Sequence, residues 1–281
     1  MKFRTEIEPL RCAPIGADDS LVLLGSCFAD NIGERLAQHG FSVVRNPLGP
    51  LFNPMSVAAA LTRALDGRAF SRADLALRDG VWHAMDAAAR YQSTDADALL
   101  AALNRDFAPL REALLAPCVL FVTLGTAYVY RLHETGAIVA NCHKLPASEF
   151  VRERVSADTI ASEWRPLLQR LAERGVRVVF TVSPVRHVAD GLHANNLSKA
   201  TLLLAVDALG AEYFPAYEIV CDDLRDYRFY ASDLKHPSEA AVDYIYERFA
   251  DAYFSPATKE TARARHAEYL RQAHRPGNSI L

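Results

Sequence analysis

The sequence predicts an α/β fold of three layers, α/β/α, in which helices cover both faces of a parallel sheet of about five strands. Apolar runs without polar alternation recur along the chain, as is typical of strands buried on both faces. Segments with helical spacing separate these runs. The chain has 281 residues, of which 51% are hydrophobic, so it can bury a core without disulfides or a structural metal. We therefore expect residues 1–281 to form one domain.

Each predicted element follows from its own pattern. The strands are the apolar runs, such as LVLL before Gly25, and they lie at 21–24, 41–44, 119–124, 176–182 and 211–216. The helices have apolar residues at helical spacing, at 28–39, 55–65, 95–115, 156–174, 195–209 and 239–253. Residues 66–94, rich in Asp, Gly and Arg, interrupt the alternation after the second strand, and we expect an inserted hairpin there. Residues 272–281 are expected to be a frayed tail.

Composition argues against several classes of partner. The net charge of −3 gives no electrostatic footprint for nucleic acid, and the most apolar stretch, 116–130, is too short to span a membrane. The N-terminus, MKFRTEIEPL, has no apolar signal segment. The five cysteines are widely spaced, and no phosphate-loop or dinucleotide motif is present. We therefore expect a cytoplasmic protein that uses no cofactor or metal and binds neither nucleic acid nor membranes.

Small and polar residues follow every predicted strand. The carboxyl ends of parallel strands share one edge of a sheet, and ligands bind there. We call the loops at this edge the carboxyl rim, which comprises residues 25–27, 46–53, 125–128, 183–187 and 233–237. The sequence therefore predicts a ligand-binding or catalytic site at this rim.

Cys27 is the first candidate at the carboxyl rim. It follows Gly25 and Ser26 and opens the first predicted helix, where free N–H groups and the helix dipole lower the pKa of a thiol. A thiolate there is a competent nucleophile, and Ser26 is a candidate helix cap. The alternative is that Cys27 is a small buried side chain at the end of a strand.

Asp233 and His236 are the second candidate. A carboxylate three residues before a histidine can hydrogen bond to one ring nitrogen. That bond fixes the tautomer and leaves the other nitrogen to accept a proton from a nucleophile. The alternative is local, with Asp233 capping a turn and His236 starting a helix.

Two further groups have plainer explanations. One polar run is interpreted as a helix start with its capping groups: Asn195, Asn196, Ser198 and Lys199. Three ring-bearing residues of the inserted segment would either stack on a sugar ring or pin the hairpin to the domain: Trp82, His83 and Tyr91.

Four motifs together resemble the GSCFA family. They are LGSCFADNIG at 24–33, GTAYVY at 125–130, NCHK at 141–144 and DLKHPS at 233–238. This family is similar to the SGNH/GDSL hydrolase superfamily, whose members are mostly esterases and acyltransferases. The resemblance spans most of the chain and implies a flavodoxin-like SGNH hydrolase fold.

The resemblance also implies roles for single residues. The first superfamily block, Gly-Asp-Ser, supplies the nucleophile, and its serine falls on Cys27, or on Ser26 if the match slips by one position. The glycine of the second block donates its N–H to the oxyanion and falls on Gly49. The last block, Asp-x-x-His, falls on Asp233 and His236.

The third block, Gly-x-Asn, departs from the superfamily pattern. It falls on Gly125-Thr126-Ala127, so the asparagine that would donate to the oxyanion is missing. Loss of one such donor costs roughly 10²–10³ in rate. The candidate replacements are Asn141 and His143 and, more weakly, Asn53.

The resemblance thus implies an ester or thioester hydrolase, or an acyltransferase, that acts on an acylated small molecule or carbohydrate. The alternative is a catalytically impaired binding protein on the same scaffold, which the missing asparagine favours. A metal-dependent hydrolase is a third option. The acyl group, the acceptor and the oligomeric state stay open. The catalytic hypothesis requires Cys27, or Ser26, to meet His236 across the carboxyl rim.

Overall fold

A computed structural model describes residues 4–8, 10 and 12–273. The strands are β1 (Ser20–Gly25), β2 (Ser42–Arg45), β3 (Ala76–Arg78), β4 (Val81–His83), β5 (Gln92–Ser93), β6 (Val119–Leu124), β7 (Tyr128–Leu132), β8 (Ile138–Val139), β9 (Phe150–Arg154), β10 (Arg177–Val182) and β11 (Glu212–Tyr213). The helices are α1 (Cys27–Gln38), α2 (Pro54–Leu65), α3 (Ala96–Ala113), α4 (Ala157–Ala172), α5 (Gly191–Leu209), α6 (Ala216–Glu218), α7 (Glu239–Tyr253) and α8 (Pro256–Ala273). A π-helical turn, Ile219–Leu224, continues α6.

The central sheet has five strands in the order β2-β1-β6-β10-β11, and every pairing is parallel. At its centre, Val122 of β6 pairs with Leu24 on one side and with Phe180 on the other. The predicted α/β class and the number of strands are confirmed. This order is the flavodoxin-like one, in which the chain reverses direction across the sheet between β1 and β6.

Helices cover both faces of the sheet, which explains the apolar strands without alternation. In β1, Val22 and Leu24 pack into a core with α2, α3, α4 and α5. Leu21 and Leu23 point the other way, into a second core with α1, α7 and α8. Because successive side chains of a strand face opposite sides, both sets must be apolar when both faces are covered.

The first inserted segment forms three short antiparallel strands, β3, β4 and β5. An inserted hairpin was expected there. The Tyr91 hydroxyl donates to the carbonyl of Pro47 at 2.6 Å, so this ring pins the segment to the domain. A second inserted segment, 128–154, was not predicted; it forms the antiparallel sheet β8-β7-β9. The two segments pack on each other, and Ala140 N–H donates to Met85 O at 2.8 Å.

Several other elements differ from the prediction. The fifth predicted strand, 211–216, is reduced to β11, and Ala216 already begins α6. Helix α8 was not predicted, because it is polar on most of its surface and buries only Thr258 and Ala262. Helix α5 begins at Gly191, before the predicted start. The predicted tail begins inside α8, and its residues after 273 lie outside the described part of the chain. Among the described helices, none is both long and apolar enough to cross a membrane.

Candidate active site

The turn between β1 and α1 is pressed against the neighbouring strand. Gly25 has a φ of +127°, and a Cβ there would lie 2.0 Å from the carbonyl oxygen of Thr123 in β6. The N–H of Ser26 donates to this same oxygen at 2.9 Å. Only glycine fits this approach, and the turn therefore sets Cys27 at the first position of α1, on the carboxyl rim.

Asn46, which the sequence analysis missed, holds this turn from β2. Its Oδ1 accepts a hydrogen bond from Gly25 N at 2.9 Å, and its amide nitrogen lies 3.4 Å from Ser26 O. Its backbone has a φ of +35°, a conformation that asparagine tolerates better than most residues. This tolerance is the signal that could have singled out the Asn46-Pro47 pair.

We expect Asn46→Gly to lower the free energy of unfolding by about 1–3 kcal/mol, because the buried N–H of Gly25 loses its acceptor. Glycine adopts a positive φ without strain. The decrease in the free energy of unfolding therefore measures the contribution of the Asn46 side chain. Asp79→Gly is the matched control, since Asp79 also has a positive φ but lies exposed in the β3–β4 turn. Urea unfolding measures both; an equal effect at the two positions would contradict the role of Asn46.

Ser26 and Cys27 differ in what their side chains do. Ser26 is the N-cap of α1, is only 2% exposed, and its Oγ accepts from Phe28 N at 3.3 Å. The predicted helix cap is therefore present, and the Ser26 hydroxyl is engaged in its hydrogen bond. Cys27 is half-buried and free of any disulfide. Of the two candidate nucleophiles, Cys27 is the more accessible.

The environment of the Cys27 thiol corrects one expectation. Burial and the nearby Asp30 carboxylate raise its pKa above the ordinary value, although the N–H groups of Cys27 and Phe28 and the charge of Lys199 act in the opposite direction. The helix start was expected to lower this pKa. Desolvation of the thiolate outweighs the helix N-terminus here.

Asp233 and His236 form the pair that their spacing predicted. The His236 Nδ1–H donates to Asp233 Oδ2 at 2.6 Å, while Oδ1 accepts from the N–H groups of Lys235 and His236 at 2.9 and 3.0 Å. These bonds hold the pKa of Asp233 well below its usual range. With Nδ1 engaged, Nε2 is free to accept a proton. The imidazole is 45% exposed.

The loop that carries His236 belongs to the carboxyl rim. Arg186, which follows β10, donates its N–H to Lys235 O at 3.0 Å. Only β6 separates β10 from β1, the strand that leads to Cys27. In the described part of the chain, no hydrogen bond joins His236 to Ser26 or Cys27. The complete triad thus remains a prediction.

Two predicted oxyanion donors are engaged elsewhere. The N–H of Gly49 donates to Asn46 O at 2.7 Å within its own turn. Asn53 is the N-cap of α2, with Oδ1 accepting from Ser56 N at 2.8 Å and Nδ2 donating to Ser56 Oγ at 3.0 Å. The N–H of Gly49 and one of the two N–H groups of Asn53 Nδ2 are therefore engaged locally, and the oxyanion roles of both residues stay predictions.

Asn141 and His143 order the junction of the two inserted segments. Asn141 Oδ1 accepts from His143 N at 2.8 Å, and His143 Nε2–H donates to Ala84 O at 3.0 Å. The His143 ring is buried edge-on against the His83 ring at 5.3 Å, and burial together with His83 lowers its pKa. His143 is therefore bound between the segments, and no hydrogen bond of the described residues joins either residue to Cys27.

Residues 20–249, from β1 into α7, match the GSCFA family. The chain belongs to the GSCFA family. This range includes both Cys27 and His236. Among solved structures, this GSCFA chain is similar to the psychrotrophic esterase EstA from Pseudoalteromonas sp., inhibited by monoethylphosphonate, at 11% identity and a TM-score of 0.39. The match covers 84% of this chain and 96% of that one. No curated protein gives a significant match.

Helix α5 of this GSCFA protein places three buried polar residues against the loops of the carboxyl rim, and the sequence analysis interpreted them as capping groups. Asn195 Oδ1 accepts from His187 N at 2.9 Å, and Ser198 Oγ accepts from Ala127 N at 2.8 Å. Lys199 Nζ donates to Gly125 O at 2.7 Å and to Ser183 O at 2.6 Å. These residues lie inside α5 and are buried. Their spacing of three and four places them on one helix face, and that spacing was the signal for a buried polar face.

The described residues of this GSCFA chain hold no cluster of three or more His, Cys, Asp or Glu side chains that could bind a metal ion. The His83 and His143 rings lie edge-on with their centroids 5.3 Å apart, and the Nδ1 atoms of both are buried without a hydrogen-bond partner among the described residues. The carboxyl rim instead combines one thiol, one carboxylate–imidazole pair and one buried amine. This set suits acyl transfer through a covalent intermediate.

Proposed function

We propose that this GSCFA protein is an ester or thioester hydrolase, or an acyltransferase, with Cys27 as nucleophile and His236 as acid and base. One observation carries the proposal: the Asp233–His236 hydrogen bond of 2.6 Å lies on the same rim as the thiol at the start of α1. That bond gives the imidazole the tautomer that proton transfer needs. The proposed substrate is an acylated small molecule or carbohydrate.

The proposed chemistry has two steps. The sulfur of Cys27 attacks the acyl carbonyl, and the proton it releases ends on the leaving alkoxide or thiolate by way of His236 Nε2. Water or an acceptor hydroxyl then attacks the thioester, and its proton passes through His236 to the Cys27 sulfur. Asp233 keeps Nδ1–H engaged and stabilises the imidazolium in both steps.

The oxyanion has a donor at the start of α1. The N–H groups of Cys27 and Phe28 interact with the thiol, and a helix N-terminus favours negative charge. Phe28 N–H is also bonded to Ser26 Oγ, which leaves Cys27 N–H as the proposed donor. The Nδ2 groups of Asn141 and Asn53 are the candidates for a second donor, because Asn141 uses only its Oδ1 in the loop and Asn53 uses one of its two N–H groups.

Covalent labelling tests the nucleophile. We expect iodoacetamide and a fluorophosphonate probe, followed by peptide mapping, to modify Cys27, and we expect Cys27→Ala to remove the label from this peptide. Ser26→Ala should keep the label, because the hydroxyl is buried and engaged as a cap. Fluorophosphonate labelling that disappears only in Ser26→Ala would transfer the role to Ser26. Fluorophosphonate labelling unchanged in both variants would contradict the scheme.

Turnover tests the reaction class. A series of p-nitrophenyl esters and acyl thioesters is offered to the protein, with and without an acceptor alcohol. Hydrolysis that Cys27→Ala abolishes would support the proposal, and ester product formed with the acceptor would favour transfer. An unchanged rate in Cys27→Ala would contradict it.

The engaged N–H of Gly49 favours a second candidate, a binding protein that has kept the scaffold and lost the oxyanion site. For this candidate we expect saturable binding of an ester without turnover. Calorimetry with the same esters separates the two, since a binding protein would show heat of binding and no product.

A further inference from the structure

Arg186 is a half-buried cation of the carboxyl rim that no carboxylate neutralises. It lies in the loop after β10. Its guanidinium carbon is 4.0 Å from the centroid of the Tyr230 ring and 5.1 Å from that of the Tyr227 ring. Among the described residues, no Asp or Glu forms an ion pair with it. Tyrosine rings attract a cation but carry no net charge, so the positive charge of Arg186 stays available to a ligand.

The guanidinium also keeps hydrogen-bond donors. Although burial acts in the opposite direction, the hydroxyls of Tyr227 and Tyr230 raise the pKa of Arg186 above its ordinary value. In the part of the chain that the structure describes, these hydroxyls are its only side-chain partners, and two hydroxyls do not satisfy five N–H groups. Tyr227 is 62% exposed, so the cluster of Arg186 and the two rings is open to solvent.

The carboxylates near Arg186 are engaged with other side chains. In residues 183–190 and 226–237, each carboxylate has a partner: Asp190 with Arg152, Asp226 with Arg228 and Asp233 with His236. Lys235 is exposed beside His236 and has no ion pair among the described residues. Arg186 and Lys235 therefore leave uncompensated positive charge at this side of the carboxyl rim, which attracts anions.

Two backbone contacts join Arg186 to the loop that carries His236. The N–H of Arg186 donates to Lys235 O at 3.0 Å, one residue before the histidine. Tyr230, whose ring lies against the guanidinium, pairs through its backbone with Pro237, one residue after the histidine. The guanidinium therefore lies beside the same short loop as the imidazole.

We propose that Arg186 is a specificity-determining residue that binds an anionic group, a carboxylate or a phosphate, on the leaving group of the substrate. A guanidinium matches the oxygens of both groups with paired N–H donors. The side of the substrate is set by His236, which delivers its proton to the leaving alkoxide or thiolate. The part of the substrate next to His236, and hence next to Arg186, is then the leaving group. This role rests on the proposed function, but binding of the anion is measurable without turnover.

Esters that differ in the charge of the leaving group test the proposal. The butyryl esters of ethylene glycol, glycolate and glycol phosphate carry a neutral, a carboxylate and a phosphate leaving group. We expect Arg186→Gln to raise KM by about 10–100-fold for an anionic ester, as for the loss of one charge-assisted hydrogen bond, and to leave KM of the neutral ester unchanged. The anionic ester with the larger increase identifies the group that Arg186 binds.

Two controls separate specificity from structure. Arg228→Gln should change no KM, because Arg228 is an exposed arginine of the turn Tyr227–Phe229 that already has Asp226 as partner. The succinyl half-ester of ethylene glycol moves the charge to the acyl group, and a KM that Arg186→Gln raises for this ester alone would overturn the proposal. An equal loss of kcat for charged and neutral esters would also overturn it, since Arg186 would then only hold the His236 loop in place.

Arginine modification tests the anion site in the unaltered protein and needs no turnover. Phenylglyoxal modifies accessible guanidinium groups, and peptide mapping follows Arg186 and Arg228 in the same sample. We expect glycolate or glycol phosphate to slow the modification of Arg186 but not that of Arg228, while ethylene glycol protects neither. Anions that protect neither arginine, or both equally, would overturn the proposal, as would an Arg186 that phenylglyoxal does not reach.

The outcomes distinguish this inference from the proposed function. Anion protection confined to Arg186 in a protein that hydrolyses no ester supports the anion site, and the proposed function alone then fails. Turnover that depends on Cys27 but shows the same KM values in wild type and folded Arg186→Gln overturns the anion site and leaves the proposed function standing.

Discussion

His236→Ala is expected to slow ester or thioester hydrolysis by about 10²–10⁴-fold, the usual contribution of a positioned acid–base group. The fold should tolerate the change. The Asp233–His236 pair is about half exposed, and exposed ion pairs contribute little to the free energy of unfolding because solvent screens them. The measurement is kcat/KM on the best ester, together with the urea midpoint of the same sample.

Two variants sharpen this test. Asp233→Asn puts an amide N–H₂ donor where Oδ2 accepts Nδ1–H, because Oδ1 is held by two backbone N–H groups. This favours the other tautomer, so we expect a loss of up to about 10⁴-fold in kcat with little change in KM. His133→Ala is the matched control, because His133 is an exposed histidine in the turn after β7. An equal loss of activity in His133→Ala would show that the decrease comes from destabilisation of the fold and not from loss of the catalytic imidazole. Full activity in His236→Ala would remove the imidazole from the mechanism.

Gly25→Ala is expected to destabilise the protein by about 2–5 kcal/mol. The new Cβ would lie 2.0 Å from Thr123 O, and overpacking costs about 1–3 kcal/mol. The φ of +127° adds backbone strain of about 1–2 kcal/mol for a residue other than glycine. Urea unfolding followed by circular dichroism measures the loss, and labelling of Cys27 should become faster as the turn opens.

Gly136→Ala separates the two costs. Gly136 has a φ of +70°, and a Cβ there meets nothing within 4 Å, so only the backbone cost of about 1–2 kcal/mol applies. The difference between the two variants is the cost of the clash with β6 together with the extra backbone strain at a φ of +127°. Equal destabilisation would mean that the β1–α1 turn can move away from Thr123 without loss.

The fold was largely predictable because each element carries a local signal. Strands covered on both faces must be apolar at every position, as in VLFVTL, and helices show their spacing. The second inserted segment escaped prediction because its strands are short and pair within a small cluster of Met85, Val139 and Phe150. Helix α8 escaped because its mostly exposed surface gives no apolar stripe.

The site was predictable only where its chemistry is local. The Asp233–His236 bond follows from a spacing of three residues, and the Ser26 cap from its place before α1. The engagement of Gly49 and Asn53 was not predictable, because the partners of a backbone N–H or a side-chain amide depend on how the loop closes. The raised pKa of Cys27 depends likewise on burial, which the helix start does not reveal.

The amino-acid order alone determined the five parallel strands, the cap at α1 and the carboxylate–imidazole pair, since each arises from residues that are neighbours in the chain. Only the tertiary structure decided that Lys199, far along the chain on α5, lies buried between the ends of β6 and β10, where its Nζ donates to Gly125 O and Ser183 O. The physical reason is that burial and hydrogen-bond partners are properties of packed neighbours. Those neighbours come from different strands and helices, and no local pattern encodes their meeting.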